Sequence, residues 1–130
     1  MFVSLRSVAL GGFVSAALLS AMPAYAAGDA AAGAALVKAR CQMCHVLNKG
    51  QKPTALAPNL NGVVGRKAGS AGDFALYSPA LKSSGIVWTP AKIDTFLQAP
   101  GKLVPGTKMV ISVADAKDRA NIVAFLASNK

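Results

Sequence analysis

The chain has 130 residues, which is room for about one domain, and it carries 14 Lys and Arg against five Asp and Glu, for a formal net charge of +9. A surface this basic attracts acidic partners and speeds their encounter. The basic residues are scattered singly along the sequence instead of forming an arm or tail, which argues against a nucleic-acid-binding protein.

The first 26 residues have the features of a secretory signal. Arg6 supplies positive charge near the start, residues 8–21 are apolar and small, and Ala24-Tyr25-Ala26 offers a cleavage site. The apolar stretch is shorter than the roughly 20 residues that a helix needs to cross a bilayer, which favours cleavage over an uncleaved membrane anchor. We therefore predict a cleavable signal peptide at 1–26, one domain at 27–130, and a periplasmic location.

An alanine-rich segment at 29–40 predicts the first helix, with Asp29 as its N-cap. Gly33, Leu36 and Val37 share one face at helical spacing. A glycine inside a helix lowers its stability, so Gly33 indicates close approach of another helix. A neutral surface glycine is the equally open alternative.

Residues 46–73 are rich in Gly, Pro and Asn, which predicts a long loop that needs an object to wrap around. Ser78, followed by a proline, starts a short helix. Thr89, also followed by a proline, starts a longer helix that ends at Pro100, and a further loop leads to Asp115. Asp115 caps a final helix. Because every predicted secondary-structure element is a helix, the predicted fold class is all-α.

The most informative motif is Cys41-Gln42-Met43-Cys44-His45, which contains the only two cysteines and the only histidine of the chain. C-x-x-C-H is the attachment pattern of a c-type haem, in which both thiols bond to the porphyrin and the imidazole binds the iron. A zinc site would need about four ligands, more than these residues supply. A redox-active disulfide, a structural disulfide and a zinc site completed by distant acidic residues remain alternatives at this point.

A second stretch, Pro105-Gly106-Thr107-Lys108-Met109, closely resembles the one that delivers the axial methionine in the class I cytochromes c of mitochondria and bacteria. The resemblance covers nearly all of the chain after the signal. It is carried in addition by Gly28, Asp29, Gly33, Pro58, Asn59, Leu60, Gly62, Gly65, Arg66, Lys67, Tyr77, Gly85, Ile86, Trp88, Arg119, Ala120, Phe125 and Leu126.

The resemblance implies a fold and a set of roles. The fold is the class I cytochrome c fold, with three principal helices, a short helix and long loops wrapped around one haem c, which is attached covalently through Cys41 and Cys44. His45 and Met109 become the two iron ligands, and Pro58 accepts the ring N–H of His45. The groups implied to neutralise or hydrogen-bond the haem propionates are Arg66, Tyr77, Trp88 and Thr107.

Four positions depart from the family pattern. Phe96 stands where a tyrosine often bonds the methionine sulfur, and Leu81 stands where an asparagine often joins that network. Ile111 replaces a common phenylalanine, and Gly101 replaces a lysine of the usual basic ring. The remaining basic candidates for the docking face are Arg40, Lys49, Lys52, Lys102 and Lys108. The docking face is therefore expected to be basic but different from the mitochondrial one.

These features predict a soluble, exported, monomeric, monohaem electron carrier and not an enzyme. Its expected partners are acidic docking surfaces of redox proteins: an oxidase, a quinol–cytochrome c oxidoreductase, a reaction centre or a periplasmic dehydrogenase. It is not expected to insert stably into a membrane after signal cleavage. A peroxidase-like haem enzyme with an open iron position is the alternative from a different class, and a subunit or anchored domain of a respiratory complex is a third.

Overall fold

Five helices are found in residues 27–130, the part of the chain that the computed structural model describes. They are α1 (Ala30–Arg40), α2 (Pro79–Ser83), α3 (Pro90–Gln98), α4 (Pro100–Leu103) and α5 (Ala116–Ser128). The only β pairing in these residues is a single antiparallel bridge between Lys67 and Val87. The all-α prediction is confirmed, while the predicted signal peptide at 1–26 lies outside the described residues.

Each predicted helix start is confirmed by a side-chain cap. Asp29 accepts the N–H groups of Ala31 and Ala32 at the start of α1. A polar side chain at an N-cap replaces the partner that the first backbone N–H groups of a helix lack. The other three caps follow the same rule: Ser78 accepts from Leu81 in α2, Thr89 from Lys92 in α3, and Asp115 from Asp118 in α5.

The segment after α3 differs from the sequence-based expectation of a loop. Pro100 ends the hydrogen bonding of α3 but begins the short helix α4. The Ala99 carbonyl accepts the N–H groups of Lys102 and Leu103, and the Pro100 carbonyl accepts that of Val104. Proline suits the first turn of a helix because its fixed φ is helical and its missing N–H has no helical partner there.

The first and last helices cross at glycine. A Cβ added to Gly33 would lie 1.9 Å from the Asn121 carbonyl oxygen, and one added to Gly28 would lie 2.0 Å from the Ala120 carbonyl oxygen. The backbones of α1 and of the residues just before it therefore approach α5 more closely than any side chain at these two positions allows. The sequence-based inference that Gly33 marks close helix approach is confirmed.

The loop between α1 and α2 is tied to the end of the chain. Asn129 donates its side-chain Nδ2 to the Leu47 carbonyl at 3.0 Å, and its own carbonyl accepts the Gly62 N–H at 2.8 Å. The helices and this loop together enclose a cavity, described below. No helix within residues 27–130 combines the length and apolarity that crossing a bilayer requires.

Candidate functional site

The C-x-x-C-H motif winds one further turn beyond the end of α1. The N–H groups of Cys44 and His45 both donate to the Cys41 carbonyl, at 3.0 and 2.9 Å. Residues three and four apart lie on the same side of such a turn. Both cysteines are half-buried and are not joined to each other by a disulfide, and burial raises the pKa of the Cys41 thiol, opposed by the nearby Arg40 cation. The turn therefore presents two thiols and the imidazole as one group.

His45 has one ring nitrogen fixed by the opposite loop. Its Nδ1 lies 2.8 Å from the Pro58 carbonyl oxygen, which leaves Nε2 as the nitrogen for a metal. Burial lowers the pKa of His45, an effect that the Pro58 contact opposes and the Arg66 cation reinforces. The neutral ring, which is the form that binds metals, is thereby favoured.

A cavity of about 300 Å³ lies beside this turn, within the size range of small-molecule and cofactor sites. Its walls come from α1, the long loop, α2, α3, the segment between α4 and α5, and α5. All of the candidate site residues line it: Cys41, Cys44, His45, Pro58, Arg66, Tyr77, Trp88, Thr107 and Met109. Residues that are far apart in the sequence thus meet around one space.

Polar groups reach this cavity at only a few points. Arg66 donates to the carbonyl oxygens of Asn59 and Asn61, at 2.9 and 3.4 Å, so its guanidinium is held in place. Burial raises the pKa of Tyr77, which keeps its phenol neutral and able to donate. Trp88 is buried beside Phe96, with ring centroids 5.0 Å apart. A largely apolar cavity with a few rigid hydrogen-bond donors is suited to bind a large apolar ligand that carries a few acidic groups.

The segment between α4 and α5 carries Met109, which is half-buried. The Thr107 hydroxyl accepts the Met109 N–H at 3.4 Å. Lys108 extends across to the long loop, where its Nζ donates to the Leu76 carbonyl at 2.9 Å. Arg40 donates to the Ser112 carbonyl at 3.4 Å on the other side of Met109. Two cationic side chains therefore hold this segment in place. Arg40 binds a backbone carbonyl of the segment, and Lys108, which belongs to the segment, binds a backbone carbonyl of the long loop.

Three of the four departures from the family pattern fall on the same cavity, and Gly101 does not line it. Leu81 and Phe96 both line it, as does Ile111, which remains 42% exposed. Two of the positions at which the family often carries polar groups are thus apolar here. Lys108 and Arg40 line the cavity as well, whereas Lys49, Lys52 and Lys102 lie on exposed surface away from its lining.

Three residues support the site in ways that the sequence did not predict: Thr54 was not singled out, and Asn59 and Arg119 were named only as positions that carry the resemblance. Thr54 and Asn59 organise the loop that carries Pro58, and both act through hydrogen bonds to backbone groups. Arg119 is buried, pairs with Asp94, and donates to the carbonyl oxygens of Val113 and Ala114, downstream of Met109. The resemblance marked the position of Arg119 without assigning it a role. It marked Asn59 in the same way, and no sequence signal marked Thr54.

Comparison with known proteins decides between the remaining interpretations of the motif. The family model described as Cytochrome c matches residues 30–130. The chain belongs to the cytochrome c family. It is 45% identical to a cytochrome c2 of Rhodomicrobium vannielii over 116 residues, covering 88% of this chain and 90% of the relative. It is 46% identical to a cytochrome c of Theileria annulata over 100 residues, covering 76% of this chain and 84% of the relative.

A solved relative has the same fold. The cytochrome cH of Methylobacterium extorquens superposes with a TM-score of 0.69 at 43% identity, covering 78% of this chain and 99% of that one. The protein is thus a class I cytochrome c with covalently bound haem c, and it is a monohaem electron-transfer protein and not an enzyme. Its own residues fit that group, because one largely apolar cavity brings together the two thiols, the imidazole and a thioether.

Proposed function

We propose that this cytochrome is an exported electron carrier in which His45 and Met109 are the axial iron ligands. The observation that carries the proposal is that Met109 lines the same cavity as Cys41, Cys44 and His45. A bound haem supplies reversible one-electron exchange between the ferrous and ferric states of its iron. The chain would hold it through both thiols, the Nε2 of His45 and the sulfur of Met109.

Each ligand has support from its own surroundings. The Pro58 carbonyl, 2.8 Å from Nδ1, orients the imidazole and raises the basicity of Nε2. The Met109 thioether is a soft ligand that favours the ferrous state, and this raises the reduction potential. Leu81 and Phe96 keep the cavity apolar, which disfavours the additional charge of the ferric state. Filling both axial positions leaves no site for a substrate.

The remaining candidate residues are proposed to hold the acidic edge of the cofactor. Arg66 supplies a cation that two backbone carbonyls keep in place, and Tyr77 supplies a neutral phenol. Trp88 and Thr107 add an indole N–H and a hydroxyl. Two propionates facing these groups would be neutralised or hydrogen-bonded instead of buried without partners.

Docking is proposed to use the basic residues beside the cavity and on the adjoining surface. Arg40 and Lys108 belong to the cavity lining, and Lys49, Lys52 and Lys102 are exposed. Such groups would steer acidic surfaces of an oxidase, a quinol–cytochrome c oxidoreductase, a reaction centre or a periplasmic dehydrogenase. Export through the signal at 1–26 would place the carrier in the periplasm, where these partners are found.

The decisive experiment compares the exported protein with two methionine variants. We expect the oxidised protein to show the weak far-red absorption band of methionine-ligated ferric haem, and Met109→Leu to lose it together with a fall in reduction potential. Met43→Leu is the matched control, because Met43 is 72% exposed beside the thiols. High-spin features in the unaltered protein would mean an open sixth position, and the proposal would be wrong. Mass spectrometry should also show a chain that starts at Ala27 and carries one haem.

A further inference from the structure

The Thr54 hydroxyl makes hydrogen bonds in two directions at the side of the cavity where His45 lies. It donates to the Cys44 carbonyl at 2.5 Å and accepts the N–H groups of Leu56 and Ala57, each at 3.1 Å. A hydroxyl has one proton to donate and two lone pairs to accept with. The one donated and two accepted hydrogen bonds therefore use all of these sites, and together they join the C-x-x-C-H turn to the turn that leads into Pro58.

These bonds close a ring around the His45 contact. Cys44 directly precedes His45, and Ala57 directly precedes Pro58, whose carbonyl oxygen lies 2.8 Å from the imidazole Nδ1. The Thr54 hydroxyl contacts the backbone of both preceding residues. Thr54 therefore helps to set the distance between the imidazole and its acceptor while contacting neither of them.

Asn59 holds the other side of Pro58. Its Nδ2 donates to the carbonyl oxygens of Asn48 and Gln51, each at 2.8 Å, and its Oδ1 accepts the Asn61 N–H at 2.8 Å. Asn59 is 9% exposed, so its replacement would leave several buried polar groups without partners. Thr54 is only half-buried, which makes it the better position at which to alter the geometry while keeping the loop folded.

We propose that Thr54 is a positioning residue for His45, and that its hydroxyl tunes the reduction potential through the Nδ1–Pro58 hydrogen bond. This inference rests on the proposed ligation by His45. Without the hydroxyl, the turn before Pro58 loses its tie to Cys44, and the Nδ1–carbonyl hydrogen bond weakens. A weaker bond makes Nε2 less basic, and a less basic ligand favours the reduced state.

The test compares three variants of the mature, haem-loaded protein. Thr54→Val removes the hydroxyl at nearly constant volume, and Thr54→Ser keeps it. Thr95→Val is the matched control, because the Thr95 hydroxyl also donates to a backbone carbonyl, that of Ala91 at 3.0 Å, but on the exposed face of α3. The readouts are the reduction potential, the NMR resonance of the His45 ring N–H, and the rate at which that proton exchanges with water.

We expect Thr54→Val to shift the electron-exchange equilibrium toward the reduced form by at most about threefold to tenfold, the range of one net hydrogen bond, because only the part of that free energy that differs between the two oxidation states changes the potential. The His45 ring proton should exchange faster in this variant. Thr54→Ser and Thr95→Val should match the unaltered protein. If the valine variant does not mature, Thr54→Ala carries the same expectation.

Two results would overturn the inference. One is a Thr54→Val protein that unfolds more easily but keeps the potential and the His45 resonance unchanged, since the hydroxyl would then support the loop alone. The other is a Thr54→Ser protein that shifts as much as the valine variant. Failure of the proposed function would look different, because the unaltered protein would lack the His45 resonances and far-red band of His/Met ligation.

Discussion

Arg119 on α5 forms a buried ion pair with Asp94 on α3, with its Nε 2.9 Å from the carboxylate Oδ1. The Arg119 side chain is 8% exposed, and it also donates to the carbonyl oxygens of Val113 and Ala114. One guanidinium thereby joins two helices to the end of the segment that carries Met109. The pair links the stability of the fold to the position of a proposed ligand.

We expect Asp94→Asn to lower the free energy of unfolding by about 2 kcal/mol, because it leaves the buried Arg119 charge without its partner. The expected loss is smaller than that for fully buried ion pairs, because the Asp94 side chain is 24% exposed and solvent screens its charge. Denaturant unfolding of the haem-loaded protein measures the change. Asp118→Asn is the control, as its contact with Arg40 is 3.9 Å long and exposed. It should change stability by about 0.5 kcal/mol or less, and equal effects would contradict the prediction.

The residues that sequence reasoning found and missed differ in how far their contacts reach along the chain. Asp29, Ser78, Thr89 and Asp115 were predictable as caps because each acts on N–H groups two or three residues ahead. The Arg119 pair spans 25 residues, and no local pattern specifies its partner.

Thr54 was missed for a related reason. Its turn with Leu56 and Ala57 is local, but its importance comes from the Cys44 carbonyl ten residues earlier. The motif residues were accessible from sequence because C-x-x-C-H is a local pattern that indicates haem attachment. The resemblance, and not periodicity, supplied Met109. The short helix α4 was missed because Pro100 can either end a helix or begin one.

Gly33 should be intolerant of any side chain. We expect Gly33→Ala to lower the free energy of unfolding by about 2 kcal/mol or more, because its Cβ would lie 1.9 Å from the Asn121 carbonyl oxygen and force α1 away from α5. Gly101→Ala is the matched helical control, since its Cβ would meet open space. That change should be neutral or stabilising by up to about 1 kcal/mol. Thermal or denaturant unfolding distinguishes them, and a tolerated Gly33→Ala would refute the close-packing account.

Lys108 should control how often the Met109 segment opens. Its Nζ donates to the Leu76 carbonyl at 2.9 Å, joining this segment to the long loop. With Met109 as the proposed sixth ligand, added imidazole would bind the ferric protein only when Met109 leaves the iron, so its apparent affinity would scale with the open fraction. We expect Lys108→Met to raise that affinity about threefold to tenfold, the range of one net hydrogen bond. Spectrophotometric titration with imidazole measures it.

The control for this experiment is Lys102→Met, which removes the same charge from an exposed position of α4. It should leave imidazole affinity close to that of the unaltered protein. If both variants bind imidazole equally more tightly, the cause is the lost charge and not the contact with Leu76. If neither changes, the Lys108 hydrogen bond does not restrain the segment.

Tyr77 should titrate above the ordinary range of a phenol. Burial raises its pKa, an effect that the Arg66 cation opposes. Because the pKa is higher in the folded state, the fold favours the neutral phenol. This contribution to stability is fully present at pH values below the pKa of Tyr77 in the unfolded chain. It is lost as the pH rises through the pKa of Tyr77 in the folded protein. Tyr77 is the only tyrosine in residues 27–130, so NMR of carbon-13-labelled tyrosine follows it alone in the mature protein.

The matching variant is Tyr77→Phe, which removes the titrating group and keeps the ring that meets Phe74 edge-on at a centroid distance of 4.9 Å. We expect the unaltered protein to lose more stability than this variant as the pH rises from neutral to strongly alkaline. A Tyr77 resonance that titrates at or below the value of free tyrosine would contradict the burial argument. In that case the phenol would be solvated, and its proposed donation to a propionate would lose its support.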